Sequence, residues 1–281
     1  MAEVVESLVD WLSCSASSDS ASTNLEALGY LWVGSEEKRG NKRRPWNIHG
    51  YTGESAGRAH VASGPAGTIA VLSGALANER FHTAIGASEN VSRIDLAVTT
   101  RHDDGEPELA KHAADCYDAW KQTQRNPPKD LLIDGRGEGD TFYVGSRSSD
   151  YFLRIYNKHL ESRDRQYHHC WRVELECKGG VSTSLAHLVP LGSHRPDWIA
   201  GRLRNHLLTH GLAPWWDDCG PALSNETFHR RADAESRLRW LDEQVMPGVR
   251  WLMDNGWTPE LSKVLGADVI RQLHGYVGGG P

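Results

Sequence analysis

The sequence predicts an α+β fold built on a largely antiparallel β-sheet, with a helical C-terminal region. Three observations carry this. Short runs that alternate polar and apolar residues crowd the first two thirds of the chain. Apolar spacings of three and four residues dominate its last quarter. Strands and helices do not alternate strictly, as a parallel βαβ sheet would require.

In chain order, Val4–Ser13 alternates and reads as a first strand, and Asn24–Leu31 as a short helix. Glu36–Pro45 (EEKRGNKRRP) is the densest basic run and reads as a charged loop. Between Trp46 and Ala75 the pieces WNIHGY, RAHVAS and TIAVLS, broken by glycine, read as hairpin strands. Ala75–Gly86 has helical character. Ser92–Thr99 alternates again, and Pro107–Thr123 carries helical spacing through Leu109, Ala113, Cys116, Tyr117 and Trp120. Thr141–Gly145, Tyr151–Lys158 and Cys170–Lys178 are further alternating runs. Asp197–His210 is a helix that Gly211 stops. Ala234–Asn255 is a helix interrupted by Pro247, and Thr258 caps the first of two shorter ones. Residues 1–230 are therefore expected to form the main domain, 231–277 a helical region, and 278–281 a disordered tail.

Composition excludes some classes. The 281 residues hold 31 Lys plus Arg against 37 Asp plus Glu, a net charge of −6, so no global basic signature marks a nucleic-acid binder. No apolar run reaches the ~18 residues of a membrane span, and the opening MAEVVESLVDWL has no basic n-region of a signal peptide. No membrane partner is expected. Cys14, Cys116, Cys170, Cys177 and Cys219 are odd in number and form no C-x-x-C, which fits reduced thiols in the cytoplasm and argues against zinc. His168-His169 lacks the middle residue of a His-hydrophobic-His metal motif.

Residues two apart share a face of a strand. Arg93 and Asp95 then lie on one face, with Ile94, Leu96 and Val98 opposite. Arg154, Tyr156 and Lys158 share a face, as do Arg172, Glu174, Glu176 and Lys178. Each strand has an apolar side for a core and a charged side with almost no Ser or Thr. Cross-strand ion pairing on a solvated face would produce this pattern, and so would a site. Asp95, Glu174 and Glu176 are hard oxygen donors suited to Mg²⁺ or Mn²⁺. Five cations against three acids leave this face locally positive despite the bulk charge.

These residues sit in motifs that resemble a known family. SRIDLAV (Ser92–Val98), FYVGSRSSDYFLRIYNKHLE (Phe142–Glu161) and WRVELECKG (Trp171–Gly179) are similar in order and type to the Rep_trans rolling-circle replication initiators of plasmids and filamentous phages and to related relaxases of integrative elements. Y-x-G-S-R-x-S-D together with R-x-Y-N-K is the specific part. VDWLSCSA (Val9–Ala16) resembles the family's opening strand and Arg237–Gly256 its C-terminal helix.

The resemblance implies a concave sheet with helices on its convex side and the functional residues on the concave side. It implies an enzyme that nicks one DNA strand at an origin, keeps the 5′-phosphate on a tyrosine and later rejoins the strand. Tyr156 falls on the nucleophile position, flanked by Arg154 and Lys158, and Asp95, Glu174 and Glu176 on metal positions holding Mg²⁺ or Mn²⁺. Some members carry an acid where this chain has Asn157, and others where it has Thr99 and Thr100. Arg93, Arg172 and Lys178 on the charged face, Arg147 in the turn, and Lys38, Arg43 and Arg44 in the basic run are the expected DNA contacts. Origin DNA, single-stranded or as a supercoiled cruciform, is the implied partner, with a host helicase and a second copy of the chain as further ones. Three other readings stay open: a non-catalytic origin-binding regulator, a conjugative relaxase of an integrative element, and a metal-dependent phosphodiesterase that uses water while Tyr156 is structural.

Overall fold

The computed structural model describes residues 2–102 and 141–209, with isolated positions at 118, 121–122, 249, 253 and 256–259. The chain divides into two compact units, Met1–Thr227 and Phe228–Pro281. The architecture below belongs to the first.

Nine strands are described. They are β1 (Ala2–Ala16), β2 (Arg44–Ile48), β3 (Tyr51–Ala56), β4 (Ala59–Gly64), β5 (Gly67–Ser73), β6 (Asn90–His102), β7 (Thr141–Val144), β8 (Tyr151–Asn157) and β9 (Cys170–Lys178). The helices are α1 (Asp19–Lys38), α2 (Gly74–Gly86), α3 (Lys158–Ser162), α4 (Gly179–Ala186) and α5 (Arg195–Thr209). The strands form one sheet in the order β2-β3-β4-β5-β1-β6-β9-β8-β7, and every pairing is antiparallel. The fold class is thus α+β on a large antiparallel sheet.

Alternation decides which face is which. Val9, Leu12 and Cys14 of β1, Ile94, Leu96 and Val98 of β6, and Val173, Leu175 and Cys177 of β9 are buried. α2 and α5 lie against β1, α4 and α5 against β6, and α1 against β4 and β5. These helices bring Leu25, Trp32, Val33, Leu76, Phe81, Leu185, Ile199 and Leu203 into the core. Burial of that apolar area is the main stabilising term. Gly29 lets α1 approach β4 closely, because a Cβ there would collide with Val61. Gly67 opens β5 at φ +116°, and a Cβ would overlap the Ala16 carbonyl.

The elements differ from the sequence expectation at four places. α1 runs twelve residues beyond the expected helix, through Asp19–Lys38, so the charged run begins inside a helix. The reason is Glu36, which is buried and accepts from Arg39 Nη1 (3.0 Å), Asn41 Nδ2 (3.1 Å) and the Arg58 amide (3.1 Å). At the other end of α1, Glu89 Oε2 accepts from the amides of Ser17 (2.7 Å) and Ser18 (3.1 Å), fixing the entry turn. β1 and β6 are both longer than expected. Finally, β8 stops at Asn157, whose side chain accepts from Leu160 N (3.1 Å) and caps α3. Lys158 therefore opens a helix instead of continuing the strand face. The expected helices at Pro107–Thr123 and over residues 231–277 fall largely outside the described residues, as does the tail.

Cys14, Cys170 and Cys177 are buried free thiols. Among the described residues no helix is long and apolar enough to cross a membrane.

Candidate active site

Register assembles the charged face into three cross-strand rows. In an antiparallel pair directly opposed residues project to the same side. Glu6 of β1 faces Thr99 of β6, Thr99 faces Arg172 of β9, Arg172 faces Tyr156 of β8, and Tyr156 faces Thr141 of β7. Ala97, Glu174, Arg154 and Tyr143 form the second row. Trp11, Asp95 and Glu176 form the third. A cavity of about 840 Å³ opens on this face. Tyr156, Glu174, Arg154, Arg172 and Tyr143 line it, and so do Glu6 and Asp10 of β1.

Tyr156 sits at the floor of this cavity and is 8% exposed. Its hydroxyl donates to Glu174 Oε2 at 3.1 Å, while Arg154 Nη2 binds the other oxygen of that carboxylate. Burial, with Glu174 beside it, pushes the phenol well above its usual range. Burial also pushes Glu174 up to about 7, against the pull of Arg154 and with help from Asp10 and Asp95. Lys158 Nζ lies 5.8 Å from the centre of the Tyr156 ring and pairs with Glu161 at 2.7 Å.

The three candidate metal carboxylates are linked through arginines. Arg93 binds Asp95 through Nε (2.8 Å) and Nη2 (2.5 Å), and reaches Glu176 at 2.8 Å. Arg154 joins Glu174 to Asp95, 3.5 Å from the latter. Asp95 has no exposed surface, and burial raises its pKa against the pull of Arg93. The chemistry of the donor set fits a hard divalent ion, because all three are carboxylate oxygen ligands; burial raises Asp95 and Glu174 although arginines pair with both. In the described conformation guanidinium groups occupy that electrostatic role. Among the described residues no three His, Cys, Asp or Glu side chains converge as a ready metal cage.

The expected DNA contacts separate into two groups. Arg172 is 3% exposed, and its fork is committed to Thr99 Oγ1 (2.8 Å), Asp10 (3.2 Å) and Glu6. Arg93 is bound to Asp95 and Glu176, and Lys178 to Glu176 (2.6 Å) and the Arg147 carbonyl. Arg43 pairs with Glu37 (3.0 Å) and Glu54 (2.9 Å). Arg147, Lys38 and Arg44 are exposed. Arg147 lies over the stacked rings of Tyr143 and Phe152, 5.7 and 5.3 Å from their centres.

Among the described residues lining the cavity, five acids (Glu6, Asp10, Glu161, Asp164, Glu174) accompany four cations (Arg58, Arg154, Lys158, Arg172), a formal −1 over this set. The expected positive face is a different set: its Arg93, Lys178, Asp95 and Glu176 do not line the cavity and cancel one another, and it does not include Arg58, Glu6, Asp10, Glu161 or Asp164. Glu6 and Asp10, four residues apart in one strand, carried a usable signal in their even spacing. Tyr167, whose ring centre lies 5.6 Å from Lys158 Nζ and 5.9 Å from Arg172 Cζ, ends the short 3₁₀ turn Arg165–Tyr167 and left no periodic trace.

Residues 89–209 match the family model of the replication initiation factors, Rep_trans. The chain is similar to that family over this segment. It holds β6, β8 and β9, and with them Asp95, Arg154, Tyr156, Glu174 and Glu176. The stretches Val9–Ala16 and Arg237–Gly256, which resemble the family by eye, lie outside the matched Rep_trans residues. A replication initiation protein of Staphylococcus aureus is 38% identical over 112 residues, covering 36% of this chain and 36% of the relative. A second from the same organism is 38% identical over 95 residues, covering 32% of this chain and 26% of the relative. The chain thus spans about a third of the length of these relatives. The structure of a rolling circle replication initiator protein from Geobacillus stearothermophilus aligns with a TM-score of 0.47 and 23% identity, over 73% of this chain and 85% of that one.

Proposed function

We propose that the chain is a rolling-circle replication initiator that nicks one DNA strand at an origin through a covalent Tyr156 intermediate and later rejoins it. The observation that carries this reading is the relay Tyr156 hydroxyl, Glu174, Arg154 at the floor of the open cavity.

A buried phenol with a raised pKa is a poor nucleophile unless a base stands beside it. Glu174, itself raised to about 7, is a carboxylate poised near neutrality. In the proposed step the Tyr156 oxygen attacks the scissile phosphorus and its proton passes to Glu174. The bond from phosphorus to the 3′ oxygen breaks, and that oxygen takes a proton from water to become a free 3′-OH. The 5′-phosphate remains as a tyrosyl ester, whose stored bond energy lets the reverse attack rejoin the strand without ATP. Arg154 orients Glu174 and stays within reach of the phosphoryl oxygens. Asp95, Glu174 and Glu176 would hold Mg²⁺ or Mn²⁺, which would supply a Lewis acid for charge building on the phosphoryl group. Lys158 adds positive charge over the Tyr156 ring. Arg147, Lys38 and Arg44 are the exposed cations offered to DNA, and a helicase and a second copy of the chain are further proposed partners.

The test is an oligonucleotide spanning the origin of the parent replicon, labelled on the 3′ side of the nick. Wild type is expected to give a denaturation-resistant adduct with Mg²⁺ or Mn²⁺ and none with EDTA. Tyr156→Phe is expected to lose the adduct and all nicking while keeping DNA binding, and nicking by Tyr156→Phe at the wild-type rate sinks the assignment. The burial of Tyr156 favours one second reading, a phosphodiesterase that uses water, for which cleavage without adduct is the signature.

A further inference from the structure

Among the described residues that line the cavity there are four cations, and three of them have carboxylate partners. Arg154 is held by Glu174 and Asp95, Arg172 by Glu6 and Asp10, and Lys158 by Glu161. Arg58 is different. It sits in the tight turn between β3 and β4, is exposed, and its guanidinium has no carboxylate partner among the described residues. Only its backbone is engaged, with the amide on Glu36 and the carbonyl on Ser73 N (3.0 Å).

The side chain is nonetheless placed. Gly74, at φ +57°, presents a bare Cα to it, and a Cβ there would come 3.2 Å from Arg58 Nε. The guanidinium therefore lies flat across the start of α2, at the rim where Ser73, Gly74 and Ala75 join the cavity wall. β5, which ends at that rim, is separated from β8 by β1, β6 and β9. Four strand spacings amount to about 19 Å along the sheet.

We propose that Arg58 grips a phosphodiester of the bound DNA strand at the far end of the cavity from Tyr156. Among the described residues lining the cavity, Arg58 is the cation without a carboxylate partner, and a guanidinium suits a phosphate oxygen pair. At this distance Arg58 holds the strand and does not touch the scissile phosphate. The assignment rests on the proposed function for its ligand, and it deepens that reading by giving the cavity a direction for the strand.

The test uses the full chain and fluorescein-labelled dT15, with anisotropy followed over a salt series. Loss of one phosphate contact lowers the slope of log K against log salt by about 0.7 for single strands. Arg58→Ala is expected to weaken binding roughly ten-fold at low salt and to show that smaller slope. Arg58→Lys is expected to keep the slope. Arg80→Ala, an exposed cation of α2 outside the cavity lining, is expected to change neither. Adduct formation by Arg58→Ala should recover at saturating origin oligonucleotide, as for a lost binding contact. Unchanged affinity and slope in Arg58→Ala, an equal loss in Arg80→Ala, or no binding of dT15 by wild type would each overturn the proposal. A wild type that forms no adduct, with the Arg58 slope change intact, would fail the nicking reading and leave the phosphate grip standing.

Discussion

Replacing Arg172 separates a structural arginine from a DNA contact. Its side chain is 3% exposed, and its fork serves Thr99, Asp10 and Glu6. Burial opposes the charge, yet Asp10, Tyr156 and Glu6 hold its pKa above the ordinary arginine value. Arg172→Ala leaves two carboxylates facing each other without their cation. Removing one partner of a buried ion pair costs about 3–5 kcal/mol. Asp10 and Glu6 keep 21% and 31% exposure, so water relieves part of that cost and the lower end, about 3 kcal/mol, applies. With a urea slope near 3 kcal/mol/M, the unfolding midpoint should fall by roughly 1 M. Arg172→Lys should recover less than half, because one ammonium cannot bridge three acceptors in a planar fork. Adding Glu6→Gln and Asp10→Asn to Arg172→Ala should restore part of the stability, since no orphaned charge then remains. A stability change under about 0.5 kcal/mol, accompanied by weaker DNA binding and a smaller salt slope, would refute the reasoning and return Arg172 to the DNA-contact group.

Two further outcomes test the scaffold. Glu89 anchors the turn into α1, and its hydrogen bonds from Ser18 and Ser17 hold its carboxyl down at about 2, below the unfolded value of 4.5. A depressed acid contributes stability above the unfolded pKa and loses it as pH falls through the folded one. Thermal melts of Glu89→Gln should therefore lie below wild type at pH 7, with the gap closing between pH 4.5 and pH 2; a gap that persists at pH 2 would deny the carboxylate this role. Gly67→Ala must place a Cβ at φ +116° against the Ala16 carbonyl. Strain and overlap together should cost roughly 2–4 kcal/mol in urea denaturation, and a loss below about 1 kcal/mol would show that the turn yields.

The sequence by itself determined the composition of the charged face. A strand has a side-chain period of two, so Asp95 with Arg93, Arg154 with Tyr156, and Arg172 with Glu174 and Glu176 had to share faces once their strands were recognised. The Rep_trans motif then singled out Tyr156. Local chemistry also misled where a single residue decides an element's end: Asn157 turns β8 into α3, and Glu36 draws a charged run into a helix.

Only the tertiary structure decided which charges neutralise which. Arg172 finds Asp10 and Glu6 at separations of 162 and 166 residues, because antiparallel pairing lays β1 beside β6 and β6 beside β9. That register gives Arg172 its ion pairs with Glu6 and Asp10. It hid Asp95 from solvent and raised Glu174 toward neutrality through burial, and it left Arg58 without a carboxylate partner among the described residues. Periodicity assigns a side chain to a face, but register across strands assigns it a neighbour, and at this site the neighbours decide the chemistry.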